Sequence, residues 1–175
     1  MLPVVTTKRR KSTSSELGLT HVDRDGAARM VDVTSKSVTH RRAVARGGVK
    51  LKPKTLQRVL EGSSPKGAVL ETARIAGIQA AKRTWELIPL CHPIPLTSLH
   101  VDLVPKGRNR IEITAEAVAA DRTGVEMEAL VAVSIAALTI YDMLKAIERG
   151  IVIEETVLVS KEGGRSGPWK RRPPR

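Results

Sequence analysis

From Ala129 to Tyr141 the chain carries no charge, and this stretch lies inside a longer helix-forming run from about Val125 to Arg149 that Gly150 is placed to end. A helix that is apolar on nearly all sides has no face to offer water, so other elements must enclose it. Glu128 and Asp142 bound the uncharged stretch well short of the ~20 residues that a bilayer span needs. The expectation is therefore a core helix, with no membrane insertion.

Upstream runs supply the sheet that would enclose it. In LHVDLV (99–104) Leu99, Val101 and Leu103 alternate with His100 and Asp102. In RIEITAEA (110–117) Ile111, Ile113 and Ala115 alternate with Glu112, Thr114 and Glu116. With Pro105 to Asn109 as the turn, the pair reads as an antiparallel hairpin with one buried face. RAVARGGVKL (42–51) reads as a strand interrupted at Gly47–Gly48, and IVIEETVLVS (151–160) as a closing strand. Thr55 is placed to N-cap a short helix that Gly62 ends, and Ser64–Pro65 to cap a second helix from about Ala68 to Leu87. The small residues Ala73, Ala76, Gly77, Ala80 and Thr84 recur on one face of that helix, so it can approach a neighbour closely. The order strand, helix, strand, strand, helix, strand predicts an α+β split β-α-β sandwich, with both helices on one face of an antiparallel sheet.

The net charge of +12 is unevenly placed. Residues 1–16 hold four bases and one acid, and residues 161–175 hold six bases and one acid, as solvated tails would. Between Lys36 and Arg58 eight bases occur without an acid. A polyphosphate, a nucleic acid or an acidic partner would each suit that run, as would plain solvation. Two Trp, one Tyr and no Phe leave few rings on which to stack bases, which weighs against a single-strand or RNA reader. Cys91 is the only cysteine, so neither an intrachain disulfide nor a Cys-based zinc site can form. The N-terminal residues show no signal-peptide pattern, and the expected location is cytoplasmic.

Five segments hold chemistry-bearing side chains. Lys66 in SSPKG (63–67) stands where an anion could meet both an ammonium group and free backbone N–H groups. Cys91 and His92 lie between prolines in LIPLCHPIP (87–95), although adjacent residues point apart and a catalytic pair must face. Glu126 and Glu128 flank Met127 at the start of the apolar helix, either as dipole-favoured acids or as proton acceptors. Asp142 and Lys145 share a face near that helix's end, where an acid in apolar surroundings requires a partner. KEGGRSG (161–167) combines glycines with Lys161 and Arg165, as a loop around phosphate oxygens would. It lacks P-loop and GxGxxG spacing.

Together LTHVD (19–23), MVDVTSK (30–36), TARIAGIQAAKRTWELIPLCHPIPL (72–96), TGVEMEAL (123–130), ALTIYDMLKA (137–146) and the Gly-rich end resemble the molybdenum cofactor biosynthesis protein C (MoaC) family. The resemblance spans about residues 19–167, leaving 1–18 as a flexible basic extension and 168–175 as a basic tail. It implies a ferredoxin-like fold and a lyase that converts 3',8-cyclo-7,8-dihydroguanosine 5'-triphosphate to cyclic pyranopterin monophosphate, releasing diphosphate. It further implies a hexamer built as a trimer of dimers with interfacial sites, and a radical-SAM GTP cyclase as the preceding enzyme. No resident cofactor or metal is implied, although Mg2+ can accompany the triphosphate. On this resemblance Asp142, Lys66 and Lys145 are the acid/base group. Leu90, Cys91, His92, Glu126, Met127 and Glu128 belong to the substrate pocket, and Lys161 with Arg165 contact the triphosphate. The chemistry leads to the expectation that a lysine among other bases is driven down in pKa and an acid among apolar residues driven up. The family usually has Lys where this chain has Arg165, and Arg can supply charge but no proton. The reading from another class is a non-catalytic basic module that binds RNA or an acidic partner.

Overall fold

Both alternating runs form strands that extend beyond their apolar cores. The computed structural model describes residues 26–172. In it β2 (Leu96–Lys106) and β3 (Arg110–Asp121) pair as the expected antiparallel hairpin. Along β3 the side chains of Ile111, Ile113, Ala115, Ala117 and Ala119 are buried while the residues between them are not. On its other edge β3 pairs with β1 (Thr39–Lys50), in unbroken register from Thr39 opposite Asp121 to Lys50 opposite Arg110. Two short strands, β4 (Val152–Ile153) and β5 (Val157–Glu162), pair with β1. The order β2-β3-β1-β5 with all pairs antiparallel is that of the ferredoxin-like split β-α-β fold.

Two compact units divide after Asp32. Of the first, only residues 26–32 are described, and they contain no helix or extended strand. The second holds the whole sheet and its helices. The LTHVD segment and the expected basic extension lie outside the described residues.

The helices are α1 (Pro53–Leu60), α2 (Val69–Lys82), α3 (Thr84–Leu87) and α4 (Glu126–Leu144). By length and composition alone α4 would suit a membrane span, so the shortness of the uncharged stretch does not by itself exclude one. Packing decides the matter, because α4 packs on the sheet and against α2, which itself packs on β2, with Ala132, Val133, Ala136, Ile140 and Leu144 buried. The sheet face beneath it is made of small residues, Ala43, Ala45 and Gly47 on β1 and Ala115 and Ala117 on β3. On the other side Gly77 of α2 lies so close to α4 that a Cβ there would stand 2.8 Å from the Ala132 carbonyl oxygen.

Several boundaries differ from the sequence reading. Gly47–Gly48 does not interrupt β1. A Cβ on Gly47 would meet Val133 Cγ1 of α4 at 2.6 Å, so the glycine admits the helix, and the irregularity in β1 falls instead at Val44/Ala45 opposite β5. Thr55 is not an N-cap. The helix begins earlier, with Pro53 as its first residue, because the fixed φ of proline suits that position. Ser64 does not cap α2 either, since residues 64–67 form a turn in which the Gly67 N–H donates to the Ser64 carbonyl at 3.0 Å. The expected single helix to Leu87 breaks at Arg83, where the Thr84 hydroxyl donates to the Ala81 carbonyl at 3.0 Å and competes with the helical ladder. Helix α4 stops at Leu144 instead of Arg149. Beyond it Glu148 turns inward and accepts the Lys52 N–H at 3.0 and 3.2 Å. The basic tail contains a strand, β6 (Trp169–Lys170), paired with β5.

Gly47→Ala is expected to destabilise the protein by about 1–3 kcal/mol, the range for overpacking a filled core. Chemical denaturation would measure it, and unchanged stability would show that α4 is free to retreat from the sheet.

Candidate active site

Three of the expected site residues converge. Lys66, on the turn before α2, reaches the last turn of α4, where its Nζ donates to Asp142 Oδ2 at 2.8 Å and to the Asp142 carbonyl at 3.0 Å. Lys145 Nζ, three residues along, lies 2.7 Å from Oδ1 of the same carboxylate. The hydrogen bond from Lys145, then that from Lys66, holds the Asp142 carboxyl down to about 2, and the same contact raises Lys145. Both directions reverse the expectation that the acid would be driven up and a lysine down. The physical reason is exposure: all three side chains are about half open to solvent, so ion pairing outweighs desolvation. At neutral pH the cluster rests as a carboxylate between two ammonium groups.

The first turn of α4 borders a cavity of about 650 Å3, whose walls include Lys36, Arg41, Arg122, Lys161 and Arg165, five cations, against Glu126 as the one acid. Arg41 is buried, and its guanidinium donates at 3.0 Å to the carbonyls of both Asp121 and Arg122, which fixes a charge at the back of the cavity. The Gly-rich loop crosses directly over it. Gly163 and Gly164 have φ of +88° and +80°, and side chains there would collide with the His40 carbonyl and the Arg41 guanidinium. Lys161 donates to the Ser166 hydroxyl across this loop. Such a concave, cationic lining suits phosphate oxygens. Sequence reasoning placed Lys161, Arg165 and Glu126 here and missed Lys36, Arg41 and Arg122. The signal was present, since Lys36 ends MVDVTSK and Arg41 lies in the acid-free basic run.

Glu128 is 3% exposed, and its Oε2 has no hydrogen-bond partner among the described residues. Burial pushes its carboxyl up to about 7, with Glu126 and Asp121 adding smaller upward contributions. Burial, and then the charge of Glu128, likewise raises the Cys91 thiol, which makes it a poor nucleophile. Leu90, Cys91 and His92 are half-buried on the turn after α3, where the Cys91 N–H donates to the Ile88 carbonyl at 3.0 Å. Met127 is half-buried between the two glutamates. Among the described residues no group of three or more His, Cys, Asp or Glu side chains is arranged to hold a metal.

A single chain therefore holds two separate groups of charged side chains. Glu126 and Asp142 occupy opposite ends of α4, about 24 Å apart at 1.5 Å per residue. The cationic cavity and the Lys66–Asp142–Lys145 cluster are not one pocket.

The raised Glu128 carboxyl has a consequence for stability. Unfolded, it titrates near 4.5; folded, near 7. Between those values the folded chain retains a proton that the unfolded chain has lost, so stability falls as pH rises through this window, by at most about 3 kcal/mol. Glu128→Gln is expected to flatten this dependence in denaturation measured at pH 5 and pH 8. Equal slopes in the two proteins would contradict it.

Comparison with known proteins identifies the family. The family model described as the MoaC family matches residues 30–164, which contain both ends of α4, the Lys66 turn and the first part of the Gly-rich loop. Cyclic pyranopterin monophosphate synthase of Thermomicrobium roseum is 60% identical over 154 residues, covering 87% of this chain and 93% of its own length. Cyclic pyranopterin monophosphate synthase 3 of Mycobacterium bovis is 56% identical over 153 residues, covering 87% and 86%. With a family match over most of the chain and relatives this similar along nearly their whole length, the chain belongs to the MoaC family.

Proposed function

We propose that this chain is a cyclic pyranopterin monophosphate synthase of molybdenum cofactor biosynthesis. It is a phosphorus–oxygen lyase that acts on 3',8-cyclo-7,8-dihydroguanosine 5'-triphosphate. The observation that carries this reading is the meeting of Lys66, Asp142 and Lys145 from separate segments in one acid/base cluster. Rearranging the purine-derived rings requires proton transfers. Paired as they rest, with Asp142 held at about 2 and Lys145 raised, these groups are poorly matched to that task. Bound substrate that displaces an ammonium group from Asp142 would free the carboxylate to accept a proton and the ammonium group to donate one. Cyclic phosphate forms when a substrate hydroxyl attacks the α-phosphorus, and the bond from that phosphorus to the bridging oxygen breaks, so that diphosphate leaves with the electron pair. The cations of the 650 Å3 cavity hold the triphosphate and stabilise the charge on the leaving group. Arg165 contributes charge alone. No resident cofactor is called for in these steps, and Mg2+ can accompany the triphosphate. The substrate comes from the pathway's radical-SAM GTP cyclase, and this chain acts in the cytoplasm.

A distance of about 24 Å along α4 is too long for one triphosphate substrate to bridge, so each complete site draws its two halves from different copies of the chain. The hexamer built as a trimer of dimers supplies that arrangement. Ile75, Trp85, Leu87 and Leu138, large apolar side chains left exposed on the helical layer, support association.

The test is diphosphate release from the cyclised substrate, with GTP as control. Asp142→Asn and Lys161→Ala are each expected to lose activity. Co-assembled from equal amounts of the two variants, the protein should recover roughly one quarter of wild-type turnover, the share of sites whose halves both come from unaltered positions. No product from wild type would sink the synthase reading, and no recovery on mixing would sink the shared site.

A further inference from the structure

The acid-free basic run is divided by the fold. Lys36 and Arg41 face the cavity described above, whereas Lys52, Lys54 and Arg58 line a second cavity of about 540 Å3 on α1, which shares no residue with the first. Its remaining wall includes Pro65 and Ala146, the chain neighbours of Lys66 and Lys145, so it opens beside the acid/base cluster. No carboxylate lines it. Among the described residues the side chains of Lys52, Lys54 and Arg58 form no ion pair, and the nearby acids are engaged elsewhere. Glu61 accepts from Gln57 at 2.7 Å, and Glu148 accepts the Lys52 backbone N–H. Lys54 and Arg58 stand four residues apart on one helical face, an arrangement that like-charge repulsion disfavours unless an anion lies between them.

We propose that this cavity binds a small anion of two or three linked phosphoryl groups, either as inorganic diphosphate or triphosphate or as the phosphate tail of a nucleotide. The three cations are spread over about 9 Å of chain along α1, wider than a single phosphate and suited to a linked pair or triplet. Lysine and arginine around a carboxylate-free concavity are the complement of such a ligand. The assignment rests on this cavity and does not depend on the reaction proposed above.

Isothermal titration calorimetry on the full chain tests it, in a Lys161→Gln/Arg165→Gln background that weakens the first cavity. Inorganic diphosphate is expected to bind that protein, and adding Lys54→Gln with Arg58→Gln should raise its Kd at least about tenfold. Lys54→Arg, which keeps the charge, should retain binding, and circular dichroism of each variant checks that the helices persist. Parallel titrations with inorganic triphosphate and GTP identify the source: tighter binding of GTP points to a nucleotide tail, and equal binding to the inorganic anion. An unchanged Kd on removing Lys54 and Arg58, equal affinity for orthophosphate, or oligonucleotide binding without diphosphate binding would each overturn the proposal.

Discussion

The approach of α4 to the sheet depends on side chains that are small or absent. Ala43, Ala45, Gly47, Ala115 and Ala117 let the helix come close to the sheet, and Gly77 lets α2 approach its flank, so most of an apolar helix is covered while Leu138 stays exposed. Close packing of this kind transmits any added volume, because neighbouring atoms have nowhere to go. Once the helix is held there, its two ends are rigid platforms. One end presents Glu126, Met127 and Glu128, and the other presents Asp142 and Lys145.

Those ends carry acids under opposite physical conditions. Asp142 is in solvent between two ammonium groups and stays ionised far below neutrality. Glu128 has lost its water and has no cation in its place, so it titrates near neutrality. Two carboxylates on one helix, separated by about four turns, are thus set up for different protonation states by exposure and neighbours alone. The cationic cavity adds a third environment, in which Arg41 is fixed by backbone carbonyls and the glycines of the loop pass over it.

Much of this was legible in the chain. Period-two alternation located β2 and β3, and the apolar run located α4, because burial on one face or on all faces leaves a direct mark on residue order. The Gly47–Gly48 pair misled, because a glycine needed for close approach of a helix looks the same in sequence as one that breaks a strand. Helix ends were misjudged where a side chain or a tertiary contact competed with the ladder, as at Thr84 and Glu148. Lys66, and Asp142 with Lys145, stood out by their places in the chain, were joined into one acid/base group by the resemblance, and proved to touch. Arg41 and Arg122 went unnoticed as cavity residues because a basic residue in a basic run carries no mark of where it points.

The sequence by itself determined the order of elements, the face each strand buries, the apolar character of α4, the excess of positive charge and, through its motifs, the family. Only the tertiary structure decided which cations share a cavity, that Asp142 is depressed while Glu128 is raised, and that the cationic cavity and the Lys66–Asp142–Lys145 cluster lie at opposite ends of one helix. Periodicity and composition are local properties that short windows of chain express. Desolvation and ion pairing depend on groups far apart in sequence, and distance between them exists only after the chain has folded.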